Sequence, residues 1–235
     1  MPDGSSTGIG VSVKRKEDYR FLVGEGNYTD DINRPNQTYS YMLRSSSAHA
    51  SFTLDTKNAS KSKGVIQIFV GTDMEVGSIP CGWQVDSKDG TPMREPTHPP
   101  IAKDKVRYVG EILAVVIAET LEDAKNAAEL IEVNYEDKPV IIDMQDAIDS
   151  SKGLVHDEIE SNICYDWEIG DSDAVEKAMS EAAHITSLDI RNNRLIPNAM
   201  ETRAAIGDYE HATGNYTLYT TSQNPHVIRL LMGAY

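Results

Sequence analysis

The sequence is poor in cysteine and in aromatic residues, and it has no long hydrophobic run. Its only cysteines are Cys81 and Cys164, and aromatic residues make up 7% of its 235 residues. Two cysteines allow one disulfide at most, and two reduced thiols are the expectation for a cytoplasmic protein. The composition therefore excludes a disulfide-rich scaffold.

The longest hydrophobic run, residues 112–118, is far shorter than the roughly 20 residues that a membrane-spanning helix needs. The first residues, MPDGS, lack the basic start and the apolar stretch of a signal peptide. We therefore predict a cytoplasmic protein that has no membrane partner.

Basic residues are also scarce. The 22 Lys and Arg stand against 37 Asp and Glu, so the formal net charge is -15. Binding to a nucleic acid backbone or to an anionic membrane depends on clustered Lys and Arg. Because the sequence supplies no such cluster, we predict that nucleic acid is not a partner.

The spacing of apolar residues predicts a mixed α/β protein. Residues 64–71 and 111–118 are short apolar runs typical of buried strands, and residues 39–44 and 133–135 also have strand character. Thr120 is placed to cap a helix after the second run. A strand, a helix and a strand therefore follow one another, as in an α/β unit.

Turn-forming residues divide the chain. Residues 1–39 are polar and rich in turns, which predicts an extended arm, and Pro and Gly interrupt a long loop at residues 72–100. Residues 144–170 have few apolar positions, which marks a crossover between domains. We predict one domain over residues 1–150 and a second over residues 151–235.

Helices are predicted near both ends of the second domain. Asp171 or Ser172 can cap the first of them, and residues 184–192 have strand character. The last helix is predicted to start at Pro225, and the apolar stripe that follows has no packing partner in the sequence. We therefore expect the chain to end inside a domain.

The sequence motifs for metal binding and for dinucleotide binding are incomplete. No two of the six histidines have the i, i+4 spacing of a helical metal pair, which argues against a metal held by protein side chains. Thr29 takes the place of the third glycine in a possible dinucleotide motif that starts at Gly24. The adjacent Asp30 and Asp31 are typical of a turn rather than of an acid and a base.

Three segments, in order, resemble parts of one enzyme family. They are RKEDYRFLVGEGNYTDD at residues 15–31, AKDKVRYVGE at residues 102–111, and NNRLIPNAMETR with the later TTSQNPH in residues 192–226. On these motifs the chain is similar to the large subunits of molybdenum hydroxylases, which include xanthine dehydrogenases, aldehyde oxidases and aerobic carbon monoxide dehydrogenases. Residues 192–203 look most like bacterial carbon monoxide dehydrogenase large chains.

The resemblance implies an α/β hammerhead domain in residues 1–150 and the truncated start of a molybdopterin-binding domain in residues 151–235. It implies a molybdenum–molybdopterin cofactor in the cytosine dinucleotide form. The expected partners are the remainder of the large subunit, an iron–sulfur small subunit and a flavin medium subunit. The iron–sulfur clusters and FAD are expected on those partners and not on this chain.

The resemblance also points to Gln223 as the cofactor-binding residue, because the family has a glutamine in this strand-end motif whose amide donates to an oxygen on molybdenum. By residue type alone, a glutamine that caps the turn into the helix at Pro225 is the favoured interpretation, and the match of the surrounding motif favours cofactor contact instead. Glu201 and Arg203 are expected to form an ion pair or to anchor the backbone, and His226 to face solvent or pack. No catalytic residue and no metal ligand is predicted.

The sequence thus predicts the amino-terminal portion of a molybdopterin-dependent oxidoreductase large subunit. This portion is expected to help bind the cofactor and to be inactive by itself. The alternative is a non-catalytic assembly or interaction module derived from the same family. The substrate, whether carbon monoxide, an aldehyde, a purine or another molecule, is left open, because the family's substrate-distinguishing loop is not in this sequence.

Overall fold

The structure is a computed structural model that describes residue 9 and residues 12–234. Within these residues the chain forms two compact units. The arm unit combines the residues up to Pro35 with Asn192–Gln223, and the sheet unit combines Asn36–Arg191 with the residues from Asn224 onward. The domain boundary expected at residue 150 stays a prediction.

Short strands and helices alternate along the described chain. The strands are β1 (Tyr39–Arg44), β2 (Ala50–Asp55), β3 (Val65–Val70), β4 (Lys105–Val106), β5 (Ile112–Ala118), β6 (Glu132–Asp137), β7 (Ala205–Glu210) and β8 (Asn215–Thr220). The α-helices are α1 (Asp18–Leu22), α2 (Leu121–Ala128), α3 (Met144–Ile148), α4 (Ser172–Glu181) and α5 (Pro225–Ala234). Single turns of 3-10 helix occur at Thr29–Asp31, Ala59–Lys61, Gly71–Asp73 and Ser150–Lys152.

The sheet unit contains two three-stranded sheets, in the orders β1-β5-β3 and β4-β2-β6, and the arm unit contains the β7-β8 pair. Every paired strand is antiparallel to its neighbour. The strand, helix and strand predicted around Thr120 are present as β5, α2 and β6. The two strands lie in different sheets, so α2 connects the sheets instead of crossing over within one.

The central strand, β5, is apolar at every position and supplies side chains to two cores. Ala114, Val116 and Ala118 enter one core, which α2 closes. Leu113 enters the other, where it packs with Phe52 of β2 and with β4. Successive side chains of a strand point to opposite faces, so an unbroken apolar run can serve both cores.

The start and the packing of α2 follow from its sequence. The Thr120 hydroxyl accepts a hydrogen bond from the main-chain N–H of Asp123 at 3.0 Å, as an N-cap residue does. Ala124, Ala127 and Ala128 are buried on the helix face towards the first core. Their small side chains let the helix lie close to the sheet.

The predicted mixed α/β fold is confirmed, as are the strands predicted at residues 39–44, 64–71 and 111–118. The helix predicted to begin at Asp171 or Ser172 is also confirmed, and the Asp171 carboxylate accepts from the N–H of Ala174 at 2.9 Å. Strand β2 was not predicted, although its polar and apolar residues alternate over all six positions.

The strand predicted at residues 184–192 is wrong, because α4 is followed by irregular chain as far as β7. Leu188 and Ile190 are 78% and 79% exposed. A strand needs a neighbour to satisfy its main chain, and no described strand pairs with this segment. Its alternating apolar residues therefore do not form a sheet here.

The predicted arm is only partly extended. Residues 1–8, 10 and 11 of that prediction lie outside the described residues, and the rest contains α1 and a 3-10 turn. In this turn the Asp31 carboxylate accepts from the main-chain N–H of Tyr28 at 2.9 Å, so its role as a turn former is confirmed. The Tyr28 ring stacks on Phe21 with the ring centroids 5.7 Å apart.

Gly71→Ala is expected to destabilise the chain by about 1–3 kcal/mol, because a Cβ atom at this buried position would overlap the main-chain carbonyl of Ala102. The matched control is Gly77→Ala, since Gly77 is exposed and a Cβ there has open space. Urea unfolding of the two variants and the wild type measures the difference. Equal midpoints for both variants would contradict the packing around Gly71.

Candidate functional site

Gln223 lies in the short connection between β8 and α5. Its residue is exposed, and within residues 12–234 no hydrogen-bonding partner reaches its side-chain amide. Pro225 is the first residue of α5, as predicted. The amide of Gln223 therefore has both N–H donors available to a ligand.

The connection is anchored just before Gln223. The Thr221 hydroxyl donates to Oε1 of Glu201 at 2.9 Å, and it lies 3.4 Å from the hydroxyl of Thr29. The neighbouring Thr220 hydroxyl donates to the main-chain carbonyl of Ala204 at 3.3 Å. Glu201 thus holds the end of β8 by a side-chain hydrogen bond, and in the described chain it has no ion pair with Arg203.

The arm supports the same hairpin. Arg34 pairs with Asp208 of β7, with 2.7 Å between Nη2 and Oδ2, and its guanidinium lies 5.8 Å from the ring centroid of Tyr219 in β8. An Arg that pairs with a carboxylate and also lies over a ring is fixed in two directions. That the arm and the β7-β8 hairpin share one unit was not predicted, because residues 34 and 208 are far apart in the chain.

A second polar cluster lies in the sheet unit. We call it the crossover clasp and define it as Lys105, Arg107, His156, Asp157 and Glu158. The Lys105 ammonium pairs with the Asp157 carboxylate, and Nη2 of Arg107 lies 3.8 Å from Oε2 of Glu158. Both cations are largely buried, with 13% and 17% of their side chains exposed.

The clasp ties the predicted crossover to β4 and to the loop before it. The Thr97 hydroxyl donates to Oε1 of Glu158 at 3.2 Å. The pairing with Lys105, which donates a hydrogen bond, lowers the pKa of Asp157. The pKa of Glu158 is lowered first by its own main-chain N–H and then by Thr97 and Arg107, against an opposing effect of burial. Both carboxylates are therefore held in their charged form.

In His156, the buried Nδ1 atom has no good hydrogen bond. Its Nδ1 lies 3.5 Å from Oε1 of Glu158, which is too long for a good hydrogen bond, and the two groups form an ion pair only when His156 is protonated. Burial lowers the pKa of His156, nearby Arg107 and His98 act in the same direction, and Glu158 opposes them. His156 is therefore neutral near pH 7.

Two further observations concern metal ions and membrane-spanning helices. Within residue 9 and residues 12–234, no three His, Cys, Asp or Glu side chains come together in a way that could hold a metal ion. No helix in that part of the chain has both the length and the apolar character needed to cross a membrane.

Two family models match the chain. The model for the aldehyde oxidase and xanthine dehydrogenase a/b hammerhead domain matches residues 23–139, and the model for the molybdopterin cofactor-binding domain matches residues 155–235. Gln223 lies inside the second match. The chain therefore belongs to the molybdenum hydroxylase large-subunit family, whose members are oxidoreductases.

Individual relatives agree with this assignment. The chain is 32% identical over 97% of its length to the nicotine 6-hydroxylase large subunit of Paenarthrobacter nicotinovorans. It is 29% identical over 96% of its length to the carbon monoxide dehydrogenase large chain of Afipia carboxidovorans. The chain spans only 27% and 28% of these relatives.

A solved structure supports the fold. The quinoline 2-oxidoreductase of Pseudomonas putida 86 matches with a TM-score of 0.79 and 28% identity, over 97% of this chain and 28% of that one. The predicted hammerhead domain, followed by the start of a molybdopterin-binding domain, is confirmed.

The clasp makes stability depend on pH. A histidine whose pKa is lower in the folded state binds fewer protons there than in the unfolded chain. The contribution of His156 to the free energy of unfolding is complete above the pKa of the unfolded state, about 6.5. This contribution is lost as the pH falls below that value. The free energy of unfolding is therefore expected to decrease from about pH 7.5 to about pH 5.5.

The variant His156→Gln is expected to flatten this decrease, because it removes the titrating group. The matched control is His211→Gln, since His211 is exposed and lies in the arm unit. Urea unfolding at several pH values measures the slope. A wild-type slope in His156→Gln would contradict the role of this histidine.

Proposed function

We propose that this chain helps to bind a molybdenum–molybdopterin cofactor, in its cytosine dinucleotide form, as part of a molybdenum hydroxylase large subunit. The observation that supports the proposal is the exposed Gln223 amide on an anchored connection, inside the region that matches a molybdopterin cofactor-binding domain. In this role the Gln223 side-chain NH2 would help to hold the cofactor by donating a hydrogen bond to one of its oxygen atoms.

The residues present fit that role. A side-chain amide is a neutral donor, so it can orient an oxygen ligand without adding the full charge of Lys or Arg. The hydrogen bond from Thr221 to Glu201 limits movement of the connection, so the donor keeps its position. The cofactor would supply the oxidation chemistry, and this chain would orient it.

We also propose that the chain acts with the remainder of a large subunit and with iron–sulfur and FAD subunits in the cytoplasm. The proposal is supported by the relatives, which are named as large subunits and are more than three times as long as the matched region. It is supported as well by α5, where Val227 and Leu230 lie three residues apart on one face and are 46% and 73% exposed. An apolar helix face of this kind is normally covered by another part of the protein.

Gln223→Ala in the complete subunit assembly is expected to lower metal retention or turnover by roughly 10–100-fold, because groups that orient metal ligands have effects of this size. The matched control is Gln145→Ala, since Gln145 is also exposed but lies on α3. Elemental analysis gives molybdenum per subunit, and electron paramagnetic resonance of the partly reduced metal reports its surroundings.

These measurements separate the cofactor role of Gln223 from the alternative of an assembly module. Unchanged molybdenum content, spectrum and turnover in Gln223→Ala would contradict the assignment of this residue. A wild-type assembly that contains no molybdenum would instead favour the alternative, a non-catalytic assembly module derived from the family.

A further inference from the structure

Residues 163–169 form an extended segment with two different faces. They are neither helix nor turn in the structure. Every second residue is apolar, and together these four residues form what we call the ridge: Ile163, Tyr165, Trp167 and Ile169, which are 37%, 45%, 57% and 80% exposed. A period of two is that of an extended chain, so the polar residues between them face the other way.

The polar face is bound to the loop at residues 85–94. The Cys164 thiol donates to the main-chain carbonyl of Arg94 at 3.1 Å. Nζ of Lys88 lies 3.0 Å from Asp166 and 3.9 Å from Glu168. These contacts hold the segment in place and leave the ridge exposed.

Main-chain groups of Ile163, Cys164 and Asp166 are bonded to the loop, and the Ile163 carbonyl accepts from Nη1 of Arg94 at 3.2 Å. The N–H of Arg94 donates to the carbonyl of Cys164 at 2.9 Å, and the N–H of Lys88 donates to the carbonyl of Asp166 at 2.7 Å. The N–H of Asp166 donates in turn to the hydroxyl of Ser87 at 3.2 Å. Both main-chain groups of Asp166 therefore point towards the loop.

Alternate residues of an extended chain direct their N–H and C=O groups to opposite edges. The groups of Tyr165 and Trp167 must then point away from the loop. Within the described part of the chain no residue bonds to them. The segment thus combines unbonded main-chain groups at Tyr165 and Trp167 with an exposed apolar ridge, which are the two features that an added strand requires.

We propose that residues 163–169 are the docking edge for a β-strand from the remainder of the large subunit. This inference rests on the proposed function, which supplies that remainder. The added strand would bond to the main chain of Tyr165 and Trp167 and cover the ridge with its own apolar side chains. It would also protect an edge that otherwise invites aggregation.

Two observations favour this occupant over a second copy of the chain. Each copy has a net charge of -15, so pairing two copies brings like charges together. The segment also lies inside the match to the molybdopterin cofactor-binding domain, which begins at residue 155, and most of each relative's length lies outside the matched region. A domain normally covers its apolar strands with its own chain.

Residue-resolved hydrogen–deuterium exchange compares the 235-residue chain with the complete subunit. The amides of Tyr165 and Trp167 are expected to exchange rapidly in the chain and at least roughly tenfold more slowly in the subunit. The amides of Lys88 and Arg94 serve as an internal reference, because they are already bonded in the chain. Rapid exchange of Tyr165 and Trp167 in the subunit would overturn the proposal.

A variant pair tests the ridge. Trp167→Asp is expected to restore rapid exchange at Tyr165 in the subunit, because it places a charge against the added strand. The control Glu168→Gln changes the neighbouring residue on the bound face and is expected to keep the protection. Protection that grows with the concentration of the 235-residue chain alone would overturn the proposal in favour of a second copy.

Molybdenum content, measured on the same samples, separates this inference from the proposed function. Protected amides in a subunit without molybdenum would support the docking edge and contradict the cofactor role. Molybdenum retained with unprotected amides would overturn only the docking edge.

Discussion

The sheet unit depends on the packing of β5. This strand pairs with β1 on one side and with β3 on the other. Its side chains alternate into two cores, so α2 and the second sheet are both positioned by the same seven residues. Burying apolar side chains contributes roughly 1.5–3 kcal/mol for each large one, and in this strand Leu113 and Val116 are fully buried.

The two polar arrangements in the chain have different physical roles. The hydrogen bond between Thr221 and Glu201 holds an exposed connection, and the exposed amide of Gln223 follows it. The crossover clasp pairs Asp157 and Glu158 with the largely buried cations Lys105 and Arg107. The first arrangement is thus suited to orienting a bound group, and the second to fixing the path of the chain.

Local sequence patterns predicted the secondary-structure elements that depend on interactions between residues close together in the chain. The apolar run of β5 and the Thr120 cap of α2 each act within a few residues, and both were predicted. The clasp could not be found in this way, because Lys105 and Asp157 are 52 residues apart. The only hint of it was that Lys105, in β4, and Arg107, just after β4, are two residues apart. The failed strand at residues 184–192 has the same explanation, since a strand exists only beside a partner.

Gln223 is a different case. An exposed glutamine before a helix has no pattern that distinguishes a cofactor contact from a turn residue, so its candidacy came from the family resemblance of the surrounding motif. The structure adds the anchored connection and the availability of the amide. The role of this residue remains a prediction.

The proposed function makes this chain part of a cofactor site in a large subunit. The most direct measurement is the content of molybdenum and of released cytosine nucleotide in the purified wild-type assembly that contains this chain. We expect molybdenum and cytosine nucleotide to be present, each in a fixed ratio to the chain. An intact, fully assembled complex that contains neither would contradict the proposed function.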